Sequence, residues 1–185
     1  MLSFASASGW REWLGSNHAS SSGAWLRLAK KGAAEPSLSY DEAVEVALCY
    51  GWIDGQARRE NEHYWLQSYT PRGRRSVWSK RNREKALALI ASDKMQAAGL
   101  AEVERAQADG RWDAAYDSPK TITVPPDLEA ALEATPSART FFDTLDGQNR
   151  YSILLRVQTA KRPETRARRI ENFIAMLAAN KKLYP

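Results

Sequence analysis

Cysteine and histidine are nearly absent from this chain, and their scarcity removes several chemistries at once. Cys49 is the sole cysteine among 185 residues, so no intramolecular disulfide forms and a reducing compartment suits the composition. Its place inside a predicted helix reads as a small buried hydrophobe. His18 and His63 are the only histidines. Neither has a Cys or His at ligand spacing, which leaves no metal site. With no G-x-S-x-G, they give a Ser–His–Asp arrangement no support either. The glycines form neither G-x-x-x-x-G-K nor G-x-G-x-x-G, so the P-loop and the dinucleotide turn are missing. No run approaches about 18 consecutive apolar residues, and no basic segment precedes an apolar one near Met1. The expectation is a soluble, cytoplasmic protein with no membrane insertion. There is no recognisable catalytic constellation, and the chain implies no cofactor.

Aromatic residues, by contrast, are plentiful: seven Trp, seven Tyr and four Phe. Together with 43% hydrophobic content they argue against disorder. A chain of this length buries roughly 70% of its unfolded surface. The net charge of +5 permits an acidic partner without requiring one.

The most specialised stretch runs from Ser39 to Asn82. Ser39 and Glu42 stand at capping-box spacing. Tyr40, Ala43, Val44, Ala47 and Leu48 then recur at helical spacing, and Gly51 suits the left-handed position just past the helix end. From Trp52 the period changes to two, which puts Trp52, Asp54, Gln56 and Arg58 on one side of a strand. Tyr64 to Thr70 reads as its hairpin partner across the polar loop 59–63. Pro71 and Gly73 then break the pattern. Upstream, Trp10, Trp13 and Leu14 mark a short helix, and Ala24 to Ala29 is a predicted strand. Downstream of Ser79 the spacing is helical: Ala86, Leu87, Ile90 and Ala91, then Leu100, Val103 and Ala106. Pro125-Pro126 opens a C-terminal third that is helical throughout. The order predicts an α+β fold with a small, at least partly antiparallel N-terminal sheet packed with helices, followed by a mostly helical half. Domain boundaries are read at 1–124 for the α+β part and 125–185 for a helical region packed on it.

The loop from Arg72 to Arg83 carries the densest set of candidate binding groups. Arg72, Arg75, Lys80 and Arg81 supply donors suited to carboxylates and phosphates. Ser79 precedes a helix whose free N–H groups attract anions. Trp78 would stack on a ring or an arginine, and Ser76 and Asn82 add polar atoms. Trp52 and Asp54 are the candidates from the preceding strand. One reading of the loop is an anion or small-ligand site; the other is a solvated basic loop whose Trp78 plugs the core. Asp54 is either an acid with a role in chemistry or the partner of a nearby arginine. A second basic cluster, Lys161, Arg166 and Arg169, surrounds the start of the last helix. Cations there oppose the helix dipole. They call for compensation, by Glu164, Glu171 or acids of the sheet domain, or by a bound partner.

Several segments resemble the bacterial YdeI/OmpD-associated group, also called bacteriocin-protection proteins. These are ALCYGWIDGQ, YTPRGRRSVWSKRN, AGLAEVERAQADGRW, the VPPDLEAAL region and TAKRPETRARRIE. Trp52, Ile53 and Asp54 match the group's GWID. Pro71, Arg72, Ser76, Trp78, Ser79 and Asn82 match its PR…S.WS..N, and Lys161, Glu164, Thr165, Arg166, Arg169 and Ile170 match its AK..ETR..RI. The resemblance implies a soluble α+β domain linked to tolerance of bacteriocins and cationic antimicrobial peptides, and it carries over no reaction and no cofactor. Three functions stay open. The first is a non-enzymatic stress-tolerance protein whose partner is an anionic small molecule or an acidic protein. The second is a nucleic-acid-binding module using Trp52, Trp65, Tyr69 and Trp78 to stack bases. The third is an enzyme using Asp54 with an arginine clamp.

Overall fold

In the computed structural model, which describes every residue from Met1 to Pro185, contacts gather into two units, Met1–Asp113 and Ala114–Pro185. The composition change at Pro125 draws the division later. Residues 114–124 go with the C-terminal helices because Asp117 is tied to one of them. Its carboxylate accepts from Gln158 Nε2 at 2.6 Å and its carbonyl from Tyr151 Oη at 3.1 Å. The fold is α+β, with all strands in the N-terminal unit, and no helix is long and apolar enough to cross a membrane.

The N-terminal unit begins with α1 (Ala7–Asn17), β1 (Ala24–Ala29) and α2 (Tyr40–Cys49). Ser39 caps α2 through the full box: its hydroxyl accepts from Glu42 N–H, and Glu42 reaches back to Ser39 N–H at 2.7 Å. The Ser39 N–H, and then the Ser39 hydroxyl, both donating to it, hold the Glu42 carboxyl below the usual carboxylate range. Gly51 follows with φ +72°, a left-handed turn that carries no Cβ penalty in glycine. It feeds β2 (Trp52–Arg59), the loop and β3 (Tyr64–Pro71), and the chain continues through α3 (Lys80–Ala91) and α4 (Ala97–Ala108). On α3 it is Ala86 and Leu89 that are buried, while Leu87 stays half-exposed.

The sheet has order β1-β3-β2 and is antiparallel throughout. Its core face carries Leu26, Leu28, Gln67, Tyr69 and Trp52, all buried. The register shifts between Asp54 and Ala57, and one extra residue turns the rest of β2 over. Gln67 stitches the irregularity, its Nε2 donating to Gly55 O at 2.9 Å and Gln56 O at 3.3 Å. Arg58 therefore stands on the opposite face from Trp52 rather than beside it. There its guanidinium lies 4.5 Å from the centre of the Trp25 ring. The outer margin of β1 is closed by Leu2, which donates to Trp25 O and accepts from Arg27 N–H. β2 forms the other margin, with Arg58 and Arg59 exposed.

An aromatic cluster joins α1 to the sheet. Trp10 stacks on Trp13 at 5.3 Å and meets Trp52 edge-on at 6.2 Å and Tyr69 at 5.7 Å. Both buried indoles are satisfied, Trp10 Nε1 donating to Ala43 O and Trp52 Nε1 to His18 O. Burial of this kind contributes on the order of 2–3 kcal/mol per ring.

The C-terminal unit is a set of four helices: α5 (Pro126–Glu133), α6 (Pro136–Asp143), α7 (Gly147–Gln158) and α8 (Pro163–Ala178). Prolines at the first position of α5, α6 and α8 set the helical φ where no N–H is needed. Asp146 caps α7 by accepting from Asn149 N–H at 2.8 Å. One core holds the helices together, with Leu128, Leu132, Phe142, Ile153, Val157 and Leu177 fully buried.

Candidate functional site

The loop after β3 is built around a buried guanidinium. Arg72 N–H donates to Gly51 O at 2.9 Å, which fixes the loop to the turn between α2 and β2. Its side chain is 4% exposed and stacks on Trp78, 3.6 Å from the ring centre, while Nη1 donates to Val77 O. Trp78 in turn meets Trp112 edge-on at 4.9 Å. A cation over an indole face in a desolvated setting contributes up to about 2 kcal/mol. Gly73 and Ser76 then exchange two bonds: Gly73 N–H donates to Ser76 Oγ, and Ser76 N–H donates to Gly73 O, each at 3.0 Å. That turn pushes Arg74 and Arg75 out to solvent, and neither has a carboxylate partner.

Residues of α4 and just beyond it brace the loop from behind. Arg111, 4% exposed, donates through Nη1 to Ser76 O at 2.7 Å and through Nε to both oxygens of Asp109 at 2.8 Å. Arg105 pairs with Glu102 and donates to Arg72 O at 3.3 Å. Burial pushes the Glu102 carboxyl up, against the opposing pull of Arg105, Arg111 and Arg72. Around the loop three buried donors find no acceptor in the protein, Trp78 Nε1, Arg111 Nη2 and Arg105 Nε, while the Tyr69 hydroxyl in the aromatic cluster is likewise without a partner. An N–H so stranded costs about 1–3 kcal/mol. Every one of the three is a donor, and two belong to cations.

The sequence points to Arg72, Ser76 and Trp78 but not to Arg105, Arg111, Glu102 or Asp109. The available signal was Asp109-Gly110-Arg111-Trp112, where Gly110 turns the chain back at φ +74°.

The remaining candidates divide between α3 and the sheet. Ser79 Oγ accepts from Asn82 N–H at 3.1 Å, so Ser79 caps α3 and Asn82 takes part through its backbone. Arg81 pairs with Asp41 at 2.6 Å and Lys85 with Glu45 at 2.6 Å, two bases one turn apart on α3 facing two acids one turn apart on α2. Lys80 lies in the first turn of α3, half-buried. Asp54 accepts from Tyr40 Oη at 2.7 Å, and the partner is a tyrosine hydroxyl rather than an arginine. Burial, then that bond, pushes the Tyr40 hydroxyl up. Trp52 belongs to the aromatic cluster. Of the four aromatics that would stack bases, Trp52, Tyr69 and Trp78 lie within the core and only Trp65 is partly exposed. No group of three His, Cys, Asp or Glu side chains is placed to hold a metal.

In the C-terminal unit the second basic cluster finds its compensation on two other helices. Arg166 grips Asp127 with two bonds, at 2.6 and 2.8 Å, and donates to Val157 O at 2.8 Å. Arg169 donates to Arg156 O. Both carbonyls lie at the C-terminal end of α7, where unpaired carbonyls and the negative end of the dipole welcome cations. The start of α8 thus caps the end of α7. The Arg166 fork holds the Asp127 carboxyl below its usual range, in part against desolvation. Lys161 is exposed.

Two family models match the chain. The one described as a domain of unknown function (DUF8412) covers residues 2–102. The one described as bacteriocin-protection, YdeI or OmpD-associated covers residues 121–180. The first therefore takes in the GWID and arginine-loop motifs, and the second takes in the AK..ETR..RI motif. No curated protein and no solved structure matches.

Proposed function

Given that the chain belongs to the family described as a domain of unknown function (DUF8412), and that its residues 121–180 are of the bacteriocin-protection, YdeI or OmpD-associated kind, we propose that it is a non-enzymatic binding protein of bacteriocin or stress tolerance. Its ligand is a phosphate- or carboxylate-bearing molecule, free or carried on an acidic protein, taken at the arginine loop. The observation that carries this reading is the set of buried donors without acceptors around the loop, Trp78 Nε1 and Arg111 Nη2 among them. Buried polar groups are otherwise satisfied in folded proteins. Such unpaired donors, with two exposed arginines at the tip of the loop, select an acceptor-rich anion.

The test is thermal unfolding of the full chain in phosphate against chloride at matched ionic strength, with sucrose as a neutral stabiliser to subtract general effects on burial. Phosphate at tenfold its Kd should add roughly 1.4 kcal/mol, or about 3–6 °C in Tm. Arg74→Ala and Arg75→Ala should each shrink the phosphate-specific part while leaving the chloride melting point in place. If wild type and both variants respond alike to every salt, the loop binds no anion and the reading fails. A labelled oligonucleotide titrated at low salt decides against a nucleic-acid role if it stays free at micromolar protein.

A further inference from the structure

The C-terminal unit holds a cleft that the arginine loop does not share. It has a volume of about 360 Å³ and is lined by Arg156, Arg169, Asn172 and Phe173. Arg156 comes from the last turn of α7, and the other three come from one face of α8. Phe173 is 7% exposed and floors the cleft with an apolar ring, while Asn172 is exposed at its rim.

Two cations without carboxylate partners meet at this one cleft. Arg139, Arg150 and Arg166 each have a carboxylate within 4 Å. Arg156 and Arg169 have none; Arg162 and Arg168 also have none but do not line this cleft. Each spends one nitrogen on the protein, Arg156 Nη2 on the Tyr184 hydroxyl and Arg169 Nη1 on the Arg156 carbonyl. A guanidinium has five N–H donors, so most of the donors on both forks are uncommitted, and two like charges stand at one opening. Capping α7 explains why one cation is there. It does not explain two unpaired cations beside an amide and a buried ring.

From this arrangement we infer that the cleft binds a small amphipathic anion, a carboxylate or phosphate joined to a flat apolar group. The two arginines take the anionic end by parallel N–H···O bonds. Asn172 contributes a side-chain amide, and the flat group lies over Phe173. The volume sits at the small end of ordinary ligand sites, about 300–1,000 Å³, which suits one ring with its acid group. This site lies outside the arginine loop, and its existence does not depend on the loop binding anything.

The test uses the full chain, uniformly labelled with 15N, titrated with phenyl phosphate. Saturable shifts are expected at the amides of Arg156, Arg169, Asn172 and Phe173. Inorganic phosphate should bind the cleft at least about tenfold more weakly, because it leaves the ring contact unmade. Arg156→Ala should weaken phenyl phosphate by about tenfold or more through loss of a charge-assisted bond. Arg74→Ala and Arg75→Ala should leave cleft binding unchanged, which separates this site from the one in the N-terminal unit. Should Arg169→Ala unfold the helices, Arg169→Lys keeps a donor for the Arg156 carbonyl while removing the fork, and should also bind more weakly. The inference is overturned by an absence of saturable shifts at these amides with millimolar phenyl phosphate. It is equally overturned by phosphate and phenyl phosphate binding alike, or by Arg156→Ala binding as wild type.

Discussion

Replacing Arg111 by alanine tests whether the arginine loop is held from behind. The side chain is buried and makes three charge-assisted contacts, two to Asp109 and one to Ser76 O. Stranding a fully buried partner costs about 3–5 kcal/mol. Here that figure is an upper bound, since the Asp109 side chain is 43% exposed and water can rehydrate its carboxylate. What is not recovered is the bond to the Ser76 carbonyl, with a charged donor worth about 1.5–3 kcal/mol. The expected loss is about 2–3 kcal/mol. Urea unfolding followed by tryptophan emission reads it cleanly, because all seven tryptophans, Trp10, Trp13, Trp25, Trp52, Trp65, Trp78 and Trp112, precede Ala114. The signal belongs to the N-terminal unit alone. With a slope of about 1.5 kcal/mol/M the midpoint should fall by roughly 1–2 M. Arg111→Lys retains the charge without the fork and should lose about half as much. The phosphate response should weaken too, although Arg74 and Arg75 are untouched. A midpoint shift under about 0.3 M for Arg111→Ala would mean that the bracing carries no weight and the loop is held by Arg72 and Trp78 alone.

Two further outcomes concern contacts elsewhere in the molecule. Gly99 lies against the end of α2, where an added Cβ would press into the Cys49 carbonyl and lie 2.6 Å from that of Leu48. Backbone cannot swing aside as a side chain does, so Gly99→Ala should cost about 3 kcal/mol, and melting within about 0.5 kcal/mol of wild type would contradict the close approach. The second concerns acid. Arg166 and the Leu128 N–H lower the folded-state pKa of Asp127 below its unfolded value. The stabilisation is therefore complete above the unfolded pKa, about 4, and is lost as pH falls through the folded one. Asp127→Asn should flatten the acid limb of the helical transition seen by far-UV circular dichroism, and an unchanged limb would show that the pair is pH-silent.

Much of the fold is legible in the sequence because its signals are local. The Ser39–Glu42 box and the left-handed Gly51 each depend on residues close together in the chain. The same holds for β1 and the hairpin strands, whose alternation and turn residues lie side by side in the chain. The bulge is different. Period two carried straight through puts Arg58 beside Trp52, and the register shift after Asp54 sends it to the other face. Periodicity also cannot say which apolar residue finds a cover, so Leu87 reads as core and is exposed.

For the candidate site, residue type pointed to the loop but not to its construction. Asp41 answers Arg81 from forty positions away in the chain, and Arg111 reaches Ser76 from thirty-five. Such pairings are set by how α2, α3 and the end of α4 pack, which no local pattern records. The cations at the start of α8 show the same limit. Their conflict with their own helix dipole is visible in the sequence, while its resolution on the α7 carbonyls needs the start of α8 to lie against the end of α7.

The free margin of β2 has a consequence for how this protein behaves in a crowded solution. A strand edge of open N–H and C=O groups is a template for any other strand, including one from a second copy. Here the template is spoiled twice. The irregularity after Asp54 bends the line of donors, and Arg59 is exposed at that margin, where an incoming copy would bring the same charge. Two molecules that approach margin to margin repel before they can zip. Arg59→Glu, which replaces the repelling charge, should therefore show as turbidity at an unchanged melting temperature.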